Sequence, residues 1–348
     1  MSRSQIPTGS AKATVEASDP GAPTSSLTTW WRSLRTGRNT LVSFAIVLAL
    51  FTIGSVTVSG FFSMYNVDSL LALASFLGIA AAGQTLAILL GGIDMSIPNV
   101  ITMGDVMLPE FHAMGLPMPL TVLAVLVIAA CVGMLNGYVS SRLRIHPLIV
   151  TLGIGSMLSG AGQAFTGGLP KGSAPGWLTN LASSGGTVFG VHFPPAAVIW
   201  AVVCVAMFIL LGRTALGRSI YAVGASPKAA EFARVSRVRV WVATYMISAI
   251  LAAIAGMLLS GFSGSGYFGI GEPYLFVSVG AVVIGGTSLL GGRGSYVGTI
   301  AGALALTEIG TILVGYGLDS PTQQIFYGFL VLLMIVIYGR DQHVRSRI

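Results

Sequence analysis

Acidic residues are scarce in this sequence, and three of them sit where a charge is expensive. Asp94 lies in GGIDMS (residues 91–96) beside an apolar run, and Asp105 and Glu308 fall deep inside such runs. A carboxylate at membrane depth is retained when it binds a driving ion, lines a wet path or is locally hydrogen-bonded. Asp94 or Ser96 is placed to cap the helix that follows, at its positive end; the rival reading makes Asp94 a gate. Asp105 and Glu308 suffice for proton or sodium coupling, or else form a hydrogen-bonded pair, or line a wet cavity separately. Gln84, Asn136, Thr151 and Gln163 are further polar candidates for a pathway.

Enzyme chemistry finds little support. GFSG (261–264) has the Gly-x-Ser-Gly form of an intramembrane serine protease, which needs a histidine to take the serine proton. The histidines are His112, His146, His192 and His343, and none falls in an apolar span after Ser263. No HExxH and no clustered Cys and His suggest a metal. GGTSLLGGRGS (285–295) invites a phosphate-cradle reading, but the chain contains no Gly-Lys pair to complete a nucleotide P-loop. Gly285, Gly286, Gly291, Gly292, Arg293 and Gly294 are expected to form a sharp turn, with Gly298 and Gly302 continuing as small-xxx-small packing. A rival reading gives this turn a contact with a partner. No cofactor is expected on this chain.

The elements that must position these residues are membrane helices. Of 348 residues 54% are hydrophobic and 8% charged, with mean hydropathy +0.84, whereas a soluble domain carries roughly 25% charged residues. About 20 apolar residues cross a bilayer core, which predicts an all-α polytopic bundle with spans near 40–60, 67–90, 97–114, 118–141, 147–166, 194–212, 240–262, 274–290, 297–316 and 323–339. With the N-terminus inside, only Lys171 of the 18 Lys and Arg residues falls outside, as the positive-inside rule requires. Ten spans with both termini cytoplasmic follow. The net charge of +7 is then topological, and no nucleic-acid partner is implied. Residues 1–38, rich in Ser, Thr, Pro, Gly and Ala, are expected to be a disordered cytoplasmic tail. Residues 39–340 form the membrane domain, and 341–348 a cytoplasmic C-terminal tail. The apolar core near Leu41 lies too far from residue 1 for a cleavable signal peptide. Cys131 and Cys204, within apolar runs, read as small core residues. Inverted repeats are compatible with this plan, without visible internal identity.

One segment breaks the apolar pattern. The loop at about 213–239 carries Arg218, Lys228, Arg234, Arg237 and Arg239 against the single acid Glu231. Ser226-Pro227 is a helix-start signal, so Lys228, Ala229, Ala230, Glu231, Phe232 and the residues to Arg234 read as a two-turn helix. Its alanines leave a flat face for another protein, with Phe232 as one apolar knob. The plainer reading is a solvated loop whose arginines only set topology.

GRSIYAVGASPKAAEFARV resembles the coupling segment of permease subunits of ribose-type ATP-binding cassette importers, where a Gly-Asn-Pro-x-Ala-Ala pattern forms a short cytoplasmic helix. GGIDMS (91–96), HPLIVTLG (146–153) and AVVIGGTSLLGGRGSYVGTIAGAL (281–304) are similar to three further motifs of that family, in order, from about residue 69 to 340. Ser226 replaces the usual Asn, Arg234 the usual Gly, and Gly280 a common Ala. The resemblance implies a bacterial inner-membrane permease for a sugar or similar solute, working as two copies. It also implies a separate ATPase subunit that binds ATP and magnesium and docks on residues 226–234, and a periplasmic solute-binding protein. An ion-coupled secondary transporter is the alternative.

Overall fold

The structure is a computed structural model that describes residues 26–188 and 190–343. The chain divides into residues 1–37 and residues 38–348. In the first unit the described residues are helical, and α1 (Ser26–Thr57) begins ahead of the tail boundary expected at residue 38. The remainder of the tail expectation, and residues 344–348, lie outside the described residues.

Each expected apolar run holds a helix. They are α1, α2 (Met64–Leu89), α3 (Ile97–Ala113), α4 (Met118–Arg142), α5 (Pro147–Thr166), α7 (Pro195–Arg213), α10 (Arg237–Ser263), α11 (Tyr274–Ile284), α12 (Tyr296–Gly315) and α13 (Ser320–His343). Not all are spans. Among the described residues six helices, α2, α4, α5, α7, α10 and α12, are long and apolar enough to cross a membrane. The run expected at 274–290 is the clearest departure. Its helix α11 has 11 residues, about 16 Å at 1.5 Å per residue, roughly half of a 30 Å hydrocarbon core.

Between these lie α6 (Gly176–Ala182), a two-stranded antiparallel pair β1 (Thr187–Val188) and β2 (Val191–His192), α8 (Ala215–Ala225) and α9 (Pro227–Phe232). The loop at about 213–239, read as holding one short helix, holds two, α8 and α9. Local chemistry sets the ends. Ser63, Thr214, Ser226 and Ser295 accept from the amide three residues on, at the starts of α2, α8, α9 and α12. Gly167 (φ 64°) and Gly264 (φ 82°) close α5 and α10 in the left-handed conformation.

The burial pattern inverts that of a soluble protein. Helix α2 is buried along almost its whole length, and α10 along much of it. Leu123, Val127, Val202, Phe208, Ile325 and Phe329 on α4, α7 and α13 are exposed. Helix α10 packs on α2, α3, α4 and α6; α2 packs also on α7, α11 and α12. This makes α2 and α10 the hub. Lipid tails are as apolar as leucine, so close backbone approach rather than hydrophobic transfer holds such helices together. On α4, Gly133 and Gly137 face the α10 backbone, where a Cβ at Gly137 would lie 2.6 Å from the Trp241 carbonyl oxygen. On α12, a Cβ at Gly298 or Gly302 would collide with the Gly285 or Ala281 carbonyl of α11, so the expected small-xxx-small packing is realised there.

Candidate functional site

The residues singled out by chemistry fall into two assemblies and several isolated positions. The first assembly surrounds Asp94 in the break between α2 and α3. Asp94 is 1% exposed. Its Oδ1 accepts from the Ser96 amide at 3.0 Å and the Ser96 hydroxyl at 2.6 Å, and its Oδ2 from the Ser248 hydroxyl of α10 at 2.9 Å. Asn136 Nδ2 on α4 donates to Ser96 Oγ at 2.9 Å, and the Met95 amide donates to Thr151 Oγ1 on α5 at 2.9 Å. The break is thus tied to α4, α5 and α10 by neutral partners. Ser96 stands at the N-cap of α3 but makes no cap bond with its side chain; its hydroxyl is spent on Asp94. Asn136 Oδ1 and the Tyr245 hydroxyl are buried without a partner. Such a network is rigid where satisfied, and water or cargo would complete it where it is not.

The other pathway candidates do not join this network. Gln84 is fully buried in α2, and neither of its amide atoms has a partner. Asp105 Oδ2 accepts from the Tyr267 amide at 2.7 Å, with Oδ1 unpaired. Glu308 Oε2 is unpaired. Among the described residues no hydrogen bond joins Asp105 to Glu308, so of the readings offered for these two acids the bonded pair is not the one seen. Asp105 instead anchors an irregular segment that the sequence reading did not anticipate. With Thr102 accepting from the Gly271 amide at 3.2 Å, it holds residues 264–273 alongside the middle of α3. Non-helical backbone at membrane depth is tolerated only inside protein or along a cavity. Ser263, of the protease-like motif, donates to the Leu259 carbonyl at 2.9 Å.

The second assembly gathers α8, α9 and the glycine-rich turn. Gly286 (φ 82°), Gly291 (82°), Gly292 (68°) and Gly294 (149°) occupy backbone conformations that side chains resist, which explains the glycine density. The Gly292 amide donates to the Leu89 carbonyl at 2.8 Å, and the Tyr221 hydroxyl of α8 donates to the Gly294 carbonyl at 2.9 Å. Gly224 packs against Leu89 and Gly292. The turn therefore links α8, and through it α9, to the end of α2 that leads into Asp94. Arg293 lines the small cleft between turn and helix.

Helix α9 stands at this end. Ser226 Oγ accepts from the Ala229 amide at 3.3 Å. The Arg234 amide donates to the Glu231 carbonyl at 2.9 Å and the Val235 amide to the Ala230 carbonyl at 3.0 Å. These are the two bonds of a Schellman end, whose left-handed residue is Arg234 at φ 58°. Pro227, Lys228, Ala229, Glu231 and Arg234 are exposed, and Phe232 is 90% exposed. Ala230 is corrected: it is 4% exposed and packs into the protein's own core, so the face open to a partner is that of Ala229 and Phe232.

Sequence reasoning missed a third feature. Asn99, Ser156, Glu272 and Gln324, from four separate elements, line one cavity of about 350 Å³. No local motif connects them; the only prior signal was the scarcity of acids, which draws the eye to Glu272.

Comparison with known proteins gives the family. Residues 66–338 match the family described as "Branched-chain amino acid transport system / permease component". The chain is 32% identical over 306 residues to the fructose import permease protein FrcC of Rhizobium meliloti, covering 86% of this chain and 84% of that one. It is 33% identical over 303 residues to the probable ABC transporter permease protein YphD of Escherichia coli, covering 86% and 89%, and 30% identical over 304 residues to the ribose import permease protein RbsC of the same organism, covering 86% and 94%. No solved structure matches. With most of its length matched by a transport component and its helices apolar on their outer faces, this chain belongs to that permease family, as a multi-pass membrane protein and not an enzyme.

Proposed function

We propose that this chain is the pathway-forming subunit of an ATP-driven bacterial importer for a sugar or similar small polar solute. Its ten apolar helices, α1 to α5, α7 and α10 to α13, form the membrane domain, with both termini in the cytoplasm. A second copy completes the pathway, a separate ATPase subunit supplies ATP and magnesium chemistry, and a periplasmic protein delivers the cargo. The observation that carries the reading is α9. It is a short helix closed at both ends by hydrogen bonds, it presents an almost fully exposed Phe232, and it lies among the arginines that the positive-inside rule assigns to the cytoplasm. An exposed aromatic on a rigid platform is the kind of anchor that binding partners use. Tyr221, Gly292 and Leu89 then offer a hydrogen-bonded route from that platform to the break at Asp94, a gate candidate.

The test is co-purification and transport. Phe232→Asp should leave accumulation of the membrane protein intact, because the side chain touches little of its own fold, while at least tenfold less ATPase subunit co-purifies and uptake is lost. Full uptake and normal recovery of the ATPase would defeat the docking role. Uptake by the chain alone, driven by an ion gradient, would defeat the importer reading.

A further inference from the structure

The cavity beside the break before α11 has the lining of a ligand site. Its polar side chains are Asn99 on α3, Ser156 on α5, Glu272 ahead of α11, and Gln324 and Tyr327 on α13; Phe276 adds an apolar ring face. Among the described residues none of these five polar side chains makes a hydrogen bond, although other serines and threonines across the bundle bond back to their own helices. Ser156, Glu272 and Gln324 are exposed and Asn99 and Tyr327 half-buried, so the cavity is an open one, and polar groups left free at membrane depth require water or cargo. The volume, about 350 Å³, falls within the range of small-molecule sites, roughly 300–1,000 Å³.

The depth of the cavity follows from the importer reading, which puts the glycine-rich turn at the cytoplasmic surface. Helix α11 runs from Tyr274 to that turn in only 11 residues, about 16 Å, which sets Glu272 near the bilayer midplane. The bonds from the Gly271 amide to Thr102 and from the Tyr267 amide to Asp105 put residues 267–271 at the same level of α3. Ser159 and Gln163, bonded to each other at 3.3 Å, continue the polar face of α5 beyond Ser156, one and two turns farther on. Cargo would have a hydrogen-bonding track away from the cavity.

We infer that this cavity is the cargo-binding site of the membrane domain, and that it takes a neutral, polyhydroxylated solute. The inference rests on the importer reading and gives that reading its residues. Two amides, a hydroxyl, a phenol and a carboxylate supply both donors and acceptors, and Phe276 and Tyr327 offer ring faces to the C–H side of a sugar. An anionic cargo is disfavoured, because among the described residues no Lys, Arg or His lines the cavity. The first amides of α11 are also taken, Tyr274 by the Gly271 carbonyl and Leu275 by that of Glu272. The carboxylate of an amino acid would meet only neutral donors there.

The experiment has two arms. In the first, the full chain carrying Cys131→Ala and Cys204→Ala is reconstituted in lipid nanodiscs. Single cysteines are introduced by Ser156→Cys, Gln324→Cys and, on the exposed outer face of α7, Val202→Cys, and each is reacted with a charged, membrane-impermeant thiosulfonate. The two cavity cysteines should react at least tenfold faster than the α7 control; equal unreactivity would overturn a water-filled site. The second arm measures uptake of D-ribose, D-fructose and leucine by proteoliposomes holding the complete importer. Glu272→Leu and Gln324→Leu should each cut sugar uptake at least tenfold, with Glu272→Gln less affected. Undiminished sugar uptake in both leucine variants, or uptake of leucine but of neither sugar, would overturn the assignment. If the wild-type chain transports nothing with its partners, the importer reading falls, and the labelling arm still decides the cavity on this chain alone.

Discussion

Arg234→Gly should stabilise α9, against the usual expectation for removing an arginine. Arg234 closes the helix at φ 58°, where an L side chain costs roughly 1–2 kcal/mol. Glycine relieves that cost but gives back about 0.5–1 kcal/mol of chain entropy, leaving a net gain of about 0.5–1 kcal/mol. The gain is local, because α9 opens without the membrane helices. It should appear as amide exchange slowed about two- to fivefold at Ala230, Ala233, Arg234 (there as Gly) and Val235, the donors that close the helix. Hydrogen–deuterium exchange on the purified chain reads these amides directly. Arg234→Ala is the control: it removes the same charge and keeps the strained backbone, so it should not slow exchange. If glycine leaves these amides unchanged, or alanine protects them equally, the backbone account of this position is wrong.

Removing the cap at the other end, Ser226→Ala, should cost about 1 kcal/mol and speed exchange at Ala229 and Ala230 about fivefold. Asp94→Ala strands the Ser96 and Ser248 hydroxyls in the core and should cost about 2–4 kcal/mol; Asp94→Asn, which keeps an acceptor, should stay within about 1 kcal/mol. Thermal unfolding in detergent separates the two. Gly137→Leu forces side-chain volume into the contact with the Trp241 backbone and should cost about 1–3 kcal/mol, seen as a lower Tm and a broadened elution profile.

Much of the helical plan was legible because an apolar run long enough for a helix declares itself locally, and Ser, Thr and Gly at the ends mark its limits. What failed to show was everything that depends on a partner distant in sequence. The run 274–290 reads as one span, but the helix stops at Ile284 because Gly286 takes a left-handed conformation and the chain must reach Leu89. Helix α9 has six residues, too few for periodicity to tell that Ala230 turns inward. Asp94 was noticed as a carboxylate, yet its anchor on α10, Ser248, lies 154 residues away. The cavity drew on four elements that no window of sequence contains together.

The hub has a consequence for how this protein meets its environment. Because α2 and α10 are sheathed by their neighbours, few acyl chains press on them, and a thicker or thinner membrane must act through the outer helices. Reconstitution in lipids of different chain length should therefore tilt α7, which carries no residue of the Asp94 network, while that network, held by α4, α5 and α10, keeps its distances.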